Sequence, residues 1–283
     1  MARQGRREWS MAKETDSIRQ EFDHCFVVCA YKESPYIGAC IESLKGQGVP
    51  ARVVVSTSTP NGRLAALCEK QGVPLFIREG QSGLAADWNF ALKAAPADFV
   101  TIAHQDDIYH RDYLEKMREY AWRAKNPILL FTDYAELRGG VAVEDNRLLR
   151  VKRKINAVLK RPAFWGSRFV RRRSLAVGNA ICCPSVCIHK ARFPDFAFDA
   201  SFICALDWDA WSRLADEQGE FIYIPEILMC HRIHEESETT RLIANGARFS
   251  EDLAILSRYW PGPVARFIMG RYKASAKSNE GTL

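Results

Sequence analysis

The 283-residue sequence contains no run of eighteen consecutive apolar residues, so no segment of it reads as a membrane-spanning helix. Residues 1–20 are polar and charged and lack an apolar core, which excludes a signal peptide or anchor there. That segment is expected to fray, and Met11 is an alternative start. No G-x-G-x-x-G and no G-x-x-x-x-G-K-[ST] is present, so neither a Rossmann dinucleotide site nor a P-loop is supported. G-x-S-x-G is missing too, which removes the nucleophile elbow. The nine cysteines, at 25, 29, 40, 68, 182, 183, 187, 204 and 230, include no C-x-x-C pair and mostly lie in apolar runs. They read as buried thiols of a reducing compartment, and Cys183-Pro-Ser-Val-Cys187 has the wrong spacing for zinc. Acidic residues are missing from one stretch: Arg150 to Arg173 holds ten basic residues and no Asp or Glu. Such a stretch faces open solvent or an anionic neighbour, whether nucleic acid, a membrane surface or a diphosphate.

What is present is an ordinary globular composition, 47% hydrophobic and 26% charged, in a chain long enough for one large core. Short β-rich runs alternate with helical patterns. Cys25-Phe-Val-Val-Cys-Ala30, Arg52-Val-Val-Val55, Pro74-Leu-Phe-Ile77 and Phe99-Val-Thr-Ile-Ala103 read as strands. Between them, Ile37, Cys40, Ile41 and Leu44, then Leu64, Leu67 and Cys68, then Leu84, Trp88, Ala91, Leu92 and Ala95 recur at helical spacing. Ser34-Pro35 and Thr59-Pro60 read as cap-plus-proline helix starts, and Gly46 and Gly72 as stops. This alternation predicts an α/β fold with a mostly parallel central sheet and helices on both faces. Further on, a helix is expected near Asp112–Lys125, strands at Ile128–Phe131 and from Asn179 to Cys183, and a helix over Asp207–Glu217. The expected organisation is a flexible segment 1–21, an α/β half 22–135, an acceptor-side half 136–240 with a basic loop 150–173, and a helical, basic tail 241–283.

Three blocks carry candidate chemistry. The strand Phe99–Ala103 runs into Asp106 and Asp107, and carboxylates outside the carboxyl end of a parallel strand can hold a divalent cation against a phosphorylated substrate. Asp at a strand end also serves as a turn cap. In Leu206-Asp-Trp-Asp-Ala-Trp-Ser-Arg213, Asp207 falls at the start of a helix, where the macrodipole favours an ionised carboxylate able to accept a hydroxyl proton. It also reads as a plain N-cap, and Asp209 is four residues ahead of Arg213, a pairing distance. His231-Arg-Ile-His234 is not the H-E-x-x-H of a zinc protease. A His and an Arg near a sheet edge can meet a metal-bound diphosphate or be structural.

The order of these blocks resembles the family 2 glycosyltransferases, bacterial enzymes of the GT-A fold that transfer a sugar from a nucleotide-diphosphate donor. Val27-Val-Cys-Ala-Tyr-Lys-Glu33 resembles the opening strand and T-Y-N-x-x-E/D segment of the family, and Gly83-Leu-Ala-Ala-Asp-Trp-Asn89 its G-x-x-x-x-R-N segment. His104-Gln-Asp-Asp107 falls on D-A-D-D, Leu206-Asp-Trp-Asp209 on E-D-W-D, and Arg232-Ile-His234 on R-x-H. The chain departs from the pattern at Val55-Ser-Thr-Ser58, which lacks the base-binding acid, and at Trp88, His104 and Leu206. The resemblance implies a GT-A-like fold, with Mg²⁺ or Mn²⁺ at Asp106, Asp107 and His234 and Asp207 as catalytic base. It also implies donor contacts at Ala30, Tyr31, Glu33, Ser56, Asn89 and Gln105, and Asp209 and Arg232 on the acceptor or diphosphate side.

The function so implied is inverting sugar transfer to a glycan or lipid-linked acceptor hydroxyl in bacterial surface-glycan synthesis, in the cytoplasm or peripherally at the anionic inner membrane face. Alternatives are a degenerate protein that only binds sugar nucleotide and a protein that binds nucleic acid or an anionic surface through the basic segment. The second would leave the paired Asp residues without a role, so no nucleic acid is expected. A sugar-nucleotide pyrophosphorylase would carry a glycine-rich basic loop after the first strand, where Ala30-Tyr-Lys-Glu-Ser34 stands.

Overall fold

The computed structural model describes residues 22–234 and 247–270. The expectations for residues 1–21, and those parts of the C-terminal expectation that fall on 241–246 and 271–283, lie outside the described residues. The amino-terminal half alternates β1 (His24–Ala30), α1 (Ile37–Lys45), β2 (Arg52–Thr57), α2 (Gly62–Gln71), β3 (Leu75–Ile77), α3 (Leu84–Ala94) and β4 (Phe99–His104). The rest adds β5 (Ile108–Tyr109), α4 (Tyr113–Arg123), β6 (Pro127–Arg138), β7 (Val141–Val143), α5 (Arg147–Asn156), α6 (Arg168–Leu175), β8 (Val186–His189), α7 (Leu206–Leu214), β9 (Glu220–Ile233) and α8 (Ala247–Leu256). Residues 262–270 form one more helix.

Among the described residues all nine strands join one sheet in the order β3-β2-β1-β4-β8-β6-β9-β5, with β7 paired to β6. The strands β3, β2, β1 and β4 are mutually parallel, β8 is antiparallel to both neighbours, and β6 and β9 are parallel. The expected α/β architecture with a mostly parallel sheet is therefore observed. The 135/136 boundary falls inside β6, so the two halves share this sheet.

Period-2 alternation sorts the strand residues onto two faces. Val27, Val54, Val100 and Ile102 pack with α3, α7 and α8, whereas Phe26, Val28, Val53 and Val55 pack with α1, α2 and α4. From β1 the chain moves one way to β2 and β3, and the other way to β4. The carboxyl ends of β1 and β4 thus flank a switch point, where open α/β sheets leave a ligand crevice.

Local details depart from the sequence reading for identifiable reasons. The cap of α2 is Asn61, whose Oδ1 accepts the Leu64 N–H at 2.8 Å, while Thr59 accepts from Lys32 N. At α1 the cap position is Tyr36, and Ser34 Oγ accepts its N–H. The strand expected from Asn179 to Cys183 lies instead at Val186–His189, because Cys183-Pro-Ser185 forms a 3-10 turn. Residues 150–173 are no loop. Buried Leu149, Leu159 and Trp165 anchor α5, two 3-10 turns and α6. Three of the four arginines of α6 are also tied down: Arg168 and Arg172 pair with Asp216, and Arg171 donates to the carbonyls of Gly219 and Glu217.

Gly219 is required where it stands. Its φ is +145°, and an added Cβ would lie 2.6 Å from Ile128 Cγ1 and 2.7 Å from the Asn126 carbonyl oxygen. Gly219→Ala is expected to cost about 2–3 kcal/mol through overpacking, seen as a lower urea midpoint at unchanged m-value.

Candidate active site

The backbone leaving β1 is fixed by side chains from three directions. Gln105 Oε1 accepts the Tyr31 N–H at 3.0 Å and its Nε2 donates to the Tyr31 carbonyl at 3.1 Å. Lys32 N donates to Thr59 Oγ1 at 2.6 Å, and Asn61 Nδ2 donates to the Lys32 carbonyl. Lys32 is held at φ +55°, the only positive φ of a non-glycine residue among the described ones, and such strain persists only where its surroundings impose it. Ala30 is buried at the strand end, and the Glu33 side chain is exposed, 3.9 Å from Arg63.

Antiparallel pairing of β5 with β9, Ile108 opposite Cys230, lays the segment after β4 alongside the end of β9. Asp107 is fully buried there. Its Oδ1 accepts the Arg232 N–H at 2.8 Å and lies 3.0 Å from His231 Nδ1. Burial works against the charged form of His231, but the charge and hydrogen bond of Asp107 outweigh it and raise the imidazole pKa. Arg232 Nε donates to the Asp106 carbonyl at 2.8 Å, and its guanidinium lies 4.2 Å from the Tyr36 ring centroid. Asp106 points the other way, with Oδ2 2.8 Å from His234 Nε2 and both side chains partly exposed. His104, Asp107 and His231 also bring one ligand atom each within 4.8 Å of one another. Two departures from the family pattern meet here, since Trp88 stacks on His104 at 5.4 Å.

Asp207 begins α7. Its Oδ1 accepts the Trp208 N–H at 2.8 Å, and its Oδ2 accepts from Asn179 Nδ2 at 2.6 Å. Burial raises its pKa above the ordinary carboxylate value, against the opposing pull of the Trp208 N–H, Arg248, Asn179 and Lys152. Lys152, whose Nζ donates to Tyr134 OH at 2.9 Å, acts electrostatically on both Asp207 and His231. The Tyr134 ring lies 6.4 Å from the His231 ring, so Tyr134 and Lys152 connect the Asp107 side of the pair with the surroundings of Asp207.

Other candidate residues occupy packed positions. Asp209 is fully buried between Arg213 at 2.9 Å and Arg258 at 2.7 Å, which gives it the pairing role that its spacing to Arg213 allowed. Both ends of the Asn89 amide bond the Phe198 backbone, at 2.9 and 2.7 Å, tying α3 to the segment before α7. Ser56 is buried, with Oγ 3.8 Å from Cys29 Sγ.

The sequence reading missed several groups. Asp87, inside the Gly83–Asn89 block, receives Arg78 Nε at 2.7 Å, Ser58 Oγ at 3.0 Å and the Gly83 N–H at 3.2 Å, so a carboxylate reaches the end of β2 from α3. Asp252 is raised to about 6 by burial and by the charge of Asp207, against Arg248. Glu251 accepts the N–H groups of Ile203, Cys204 and Ala205 at 2.8–2.9 Å and so anchors the backbone leading into α7. No local pattern marks Glu251, because its partners lie 46–48 residues earlier. Glu251→Ala is expected to lower stability by about 3 kcal/mol, one donor after another losing its acceptor, as a chemical-denaturation curve would record.

Residues 25–176 match the family described as Glycosyl transferase family 2. No curated protein matches the sequence. Among solved structures, the mannosyltransferase PcManGT from Pyrobaculum calidifontis, in complex with GDP-Man and Mn²⁺, aligns with TM-score 0.60 and 15% identity over 92% of this chain and 76% of its own. Glucosyl-3-phosphoglycerate synthase from Mycobacterium tuberculosis, with Mn²⁺ and UDP-glucose, aligns with TM-score 0.56 and 16% identity over 87% and 82%. S. aureus TarS 1–349, with UDP-GlcNAc, aligns with TM-score 0.56 and 15% identity over 89% and 71%, and the chain spans 43% of the longer TarS structure. At these identities the likeness is one of fold.

Proposed function

Because the chain belongs to glycosyl transferase family 2, we propose that it transfers a sugar from a nucleotide-diphosphate donor to an acceptor hydroxyl, with inversion. The observation that carries this reading is the arrangement at one end of the sheet. A partly exposed carboxylate–imidazole pair, Asp106 and His234, stands next to the Asp107–His231 pair, which Tyr134 and Lys152 connect with Asp207, a carboxylate with a raised pKa at the start of a helix.

The donor chemistry of Asp106 and His234, one carboxylate oxygen and one imidazole nitrogen with partial exposure, fits Mn²⁺ or Mg²⁺. A cation bound there would neutralise charge growing on the diphosphate leaving group. Asp107 takes a supporting role in this reading. It is buried and already engaged by His231 and Arg232, so it holds the end of β9 and thereby His234 in place. Arg232 adds a fixed positive charge, oriented by the Asp106 carbonyl and the Tyr36 ring.

Ala30, Tyr31 and Glu33 line the exit of β1, where the nucleotide base is proposed to lie. Gln105 keeps that backbone in place rather than touching the base. Ser56 acts from behind it through Cys29, and Asn89 holds the backbone before α7 through Phe198. Asp87 is the carboxylate available at the β2 end, where the family pattern has an acid in the strand exit itself. On the acceptor side, Asn179 and the Trp208 N–H fix the Asp207 carboxylate so that it can take the proton of the attacking hydroxyl. The nine free thiols fit a reducing cytoplasm, and surface-glycan synthesis is the proposed setting. Among the described residues no helix is long and apolar enough to cross a membrane.

A binding-only protein is the second reading, favoured by the Trp88–His104 stack where the family pattern has an arginine and an aspartate. Calorimetry with UDP-, GDP- and dTDP-sugars, with and without Mn²⁺, followed by donor hydrolysis, separates the two. Metal-dependent binding with turnover supports transfer, and binding without turnover supports the second reading. No binding to any donor overturns both.

The raised carboxylates fix a pH dependence. The base works ionised, so kcat/KM should fall on acidification with an apparent pKa above about 4, the ordinary Asp value. Stability runs in the opposite direction. A raised Asp252 contributes stability that is full below 3.8 and lost as pH rises through about 6. The melting temperature of Asp252→Asn should therefore gain on the wild type between pH 4 and pH 7, as thermal scans across that window would show.

A further inference from the structure

The helix α5 faces the protein with its polar side. Asn146, its cap, donates to Glu136 Oε2 at 2.9 Å; Lys152 reaches Tyr134, and Arg153 reaches Asp133 and the Glu144 carbonyl. Asn156 donates to the Ala180 carbonyl, and only Leu149 adds a fully buried apolar side chain to this inner face. The outward half splits in two. Leu148, Val151 and Ile155 follow one another at helical spacing, and Val158 continues them in the next turn, with Leu148, Val151 and Val158 exposed by 49, 47 and 46%. Beside them run Arg147, Arg150 and Lys154, all exposed, followed by exposed Lys160 and Arg161. The nearest acid is exposed Asp145, 3.6 Å from Arg150.

An amphipathic helix whose apolar stripe points away from its own core, next to a basic row, has the composition of a segment lying in a membrane interface. We propose that α5 and the turn after it form a docking surface for an anionic lipid bilayer, with Leu148, Val151 and Val158 entering the headgroup boundary and Arg147, Arg150, Lys154, Lys160 and Arg161 contacting lipid phosphates. Charge complementarity selects this occupant, because five exposed cations adjoin the stripe and each multiplies affinity for an anionic leaflet by about fivefold. Lys152 on the inner face of the same helix bonds Tyr134, whose ring lies 6.4 Å from His231, so docking would turn this side of the site toward acceptors carried in that leaflet. That consequence rests on the transferase reading, whereas the docking itself does not.

The test is flotation of the full chain with phosphatidylcholine vesicles, with and without 30% phosphatidylglycerol, alongside Leu148→Glu/Val151→Glu and Arg150→Glu/Lys154→Glu variants. Circular dichroism confirms that the variants fold, and donor calorimetry runs in parallel. Binding at least tenfold stronger to the anionic vesicles, and reduced at least tenfold in each variant, is the expected result. A Val151→Trp variant should in addition be quenched by brominated lipid. Equal binding to both vesicles overturns the proposal, as does wild-type flotation of the Leu148→Glu/Val151→Glu variant. So does a change in oligomeric state of that variant without a change in flotation, which would assign the stripe to a second copy. Donor binding without flotation defeats the docking surface alone, and flotation without donor binding defeats the transferase reading alone.

Discussion

Asp207→Asn is expected to lower kcat by about 10²–10⁴ while leaving the Kd for the nucleotide sugar unchanged. The substitution keeps the shape of the side chain and an oxygen for the Trp208 N–H. It removes the negative charge, and with it the ability to accept a proton from the acceptor hydroxyl. Donor affinity is not expected to change, because no contact of Asp207 reaches the β1 exit or the Asp106–His234 pair; its bonds go to Trp208 and Asn179. Stability should change little, since the relief of not burying a charge is offset by an amide NH2 facing the Asn179 Nδ2 donor. Calorimetry and initial-rate assays on one preparation decide the matter. Lost donor affinity with unchanged turnover would remove Asp207 from the role of base, and Asp252, which shares the neighbourhood of Arg248, would be examined next.

The part of this arrangement that could be read in the sequence is the part built from local patterns. The first four strands and three helices follow from runs such as Arg52-Val-Val-Val55 and from helical spacing, and the Asp pair is visible because it follows β4 directly. The β9 strand was not visible: its fourteen residues include Pro225 and Glu226, where the register against β6 shifts from Thr132–Ile224 to Asp133–Ile227. That bulge breaks the alternation by which strands are recognised. The difference between Asp106 and Asp107 was equally hidden. The two carboxylates sit at a turn closed by the Asp107 N–H on the His104 carbonyl, and which of them is buried depends on β9, 124 residues later in sequence at His231. The charge run at 150–173 misled because composition alone does not separate a solvated loop from helices whose arginines bond carbonyls and Asp216.

Those opposite environments should separate the two neighbouring carboxylates in experiment. Asp106→Ala removes a partly exposed group whose side-chain partner is His234, so stability is expected to change by about 1 kcal/mol. The same change should weaken Mn²⁺-dependent donor binding by about 100-fold or more, because altering even a residue behind a metal ligand costs 10–100-fold. Asp107→Ala should do the reverse. It leaves the Arg232 N–H and the His231 imidazole without their acceptor in a buried setting, at a cost of about 3 kcal/mol. Whatever protein remains folded should keep part of its metal response, because Asp106 is still present. Denaturant unfolding and Mn²⁺ titration of both variants provide the comparison. An Asp107→Ala protein of wild-type stability that no longer responds to metal, beside an Asp106→Ala protein that still does, would exchange the two roles and move the cation toward His104 and His231, the other residues that face Asp107.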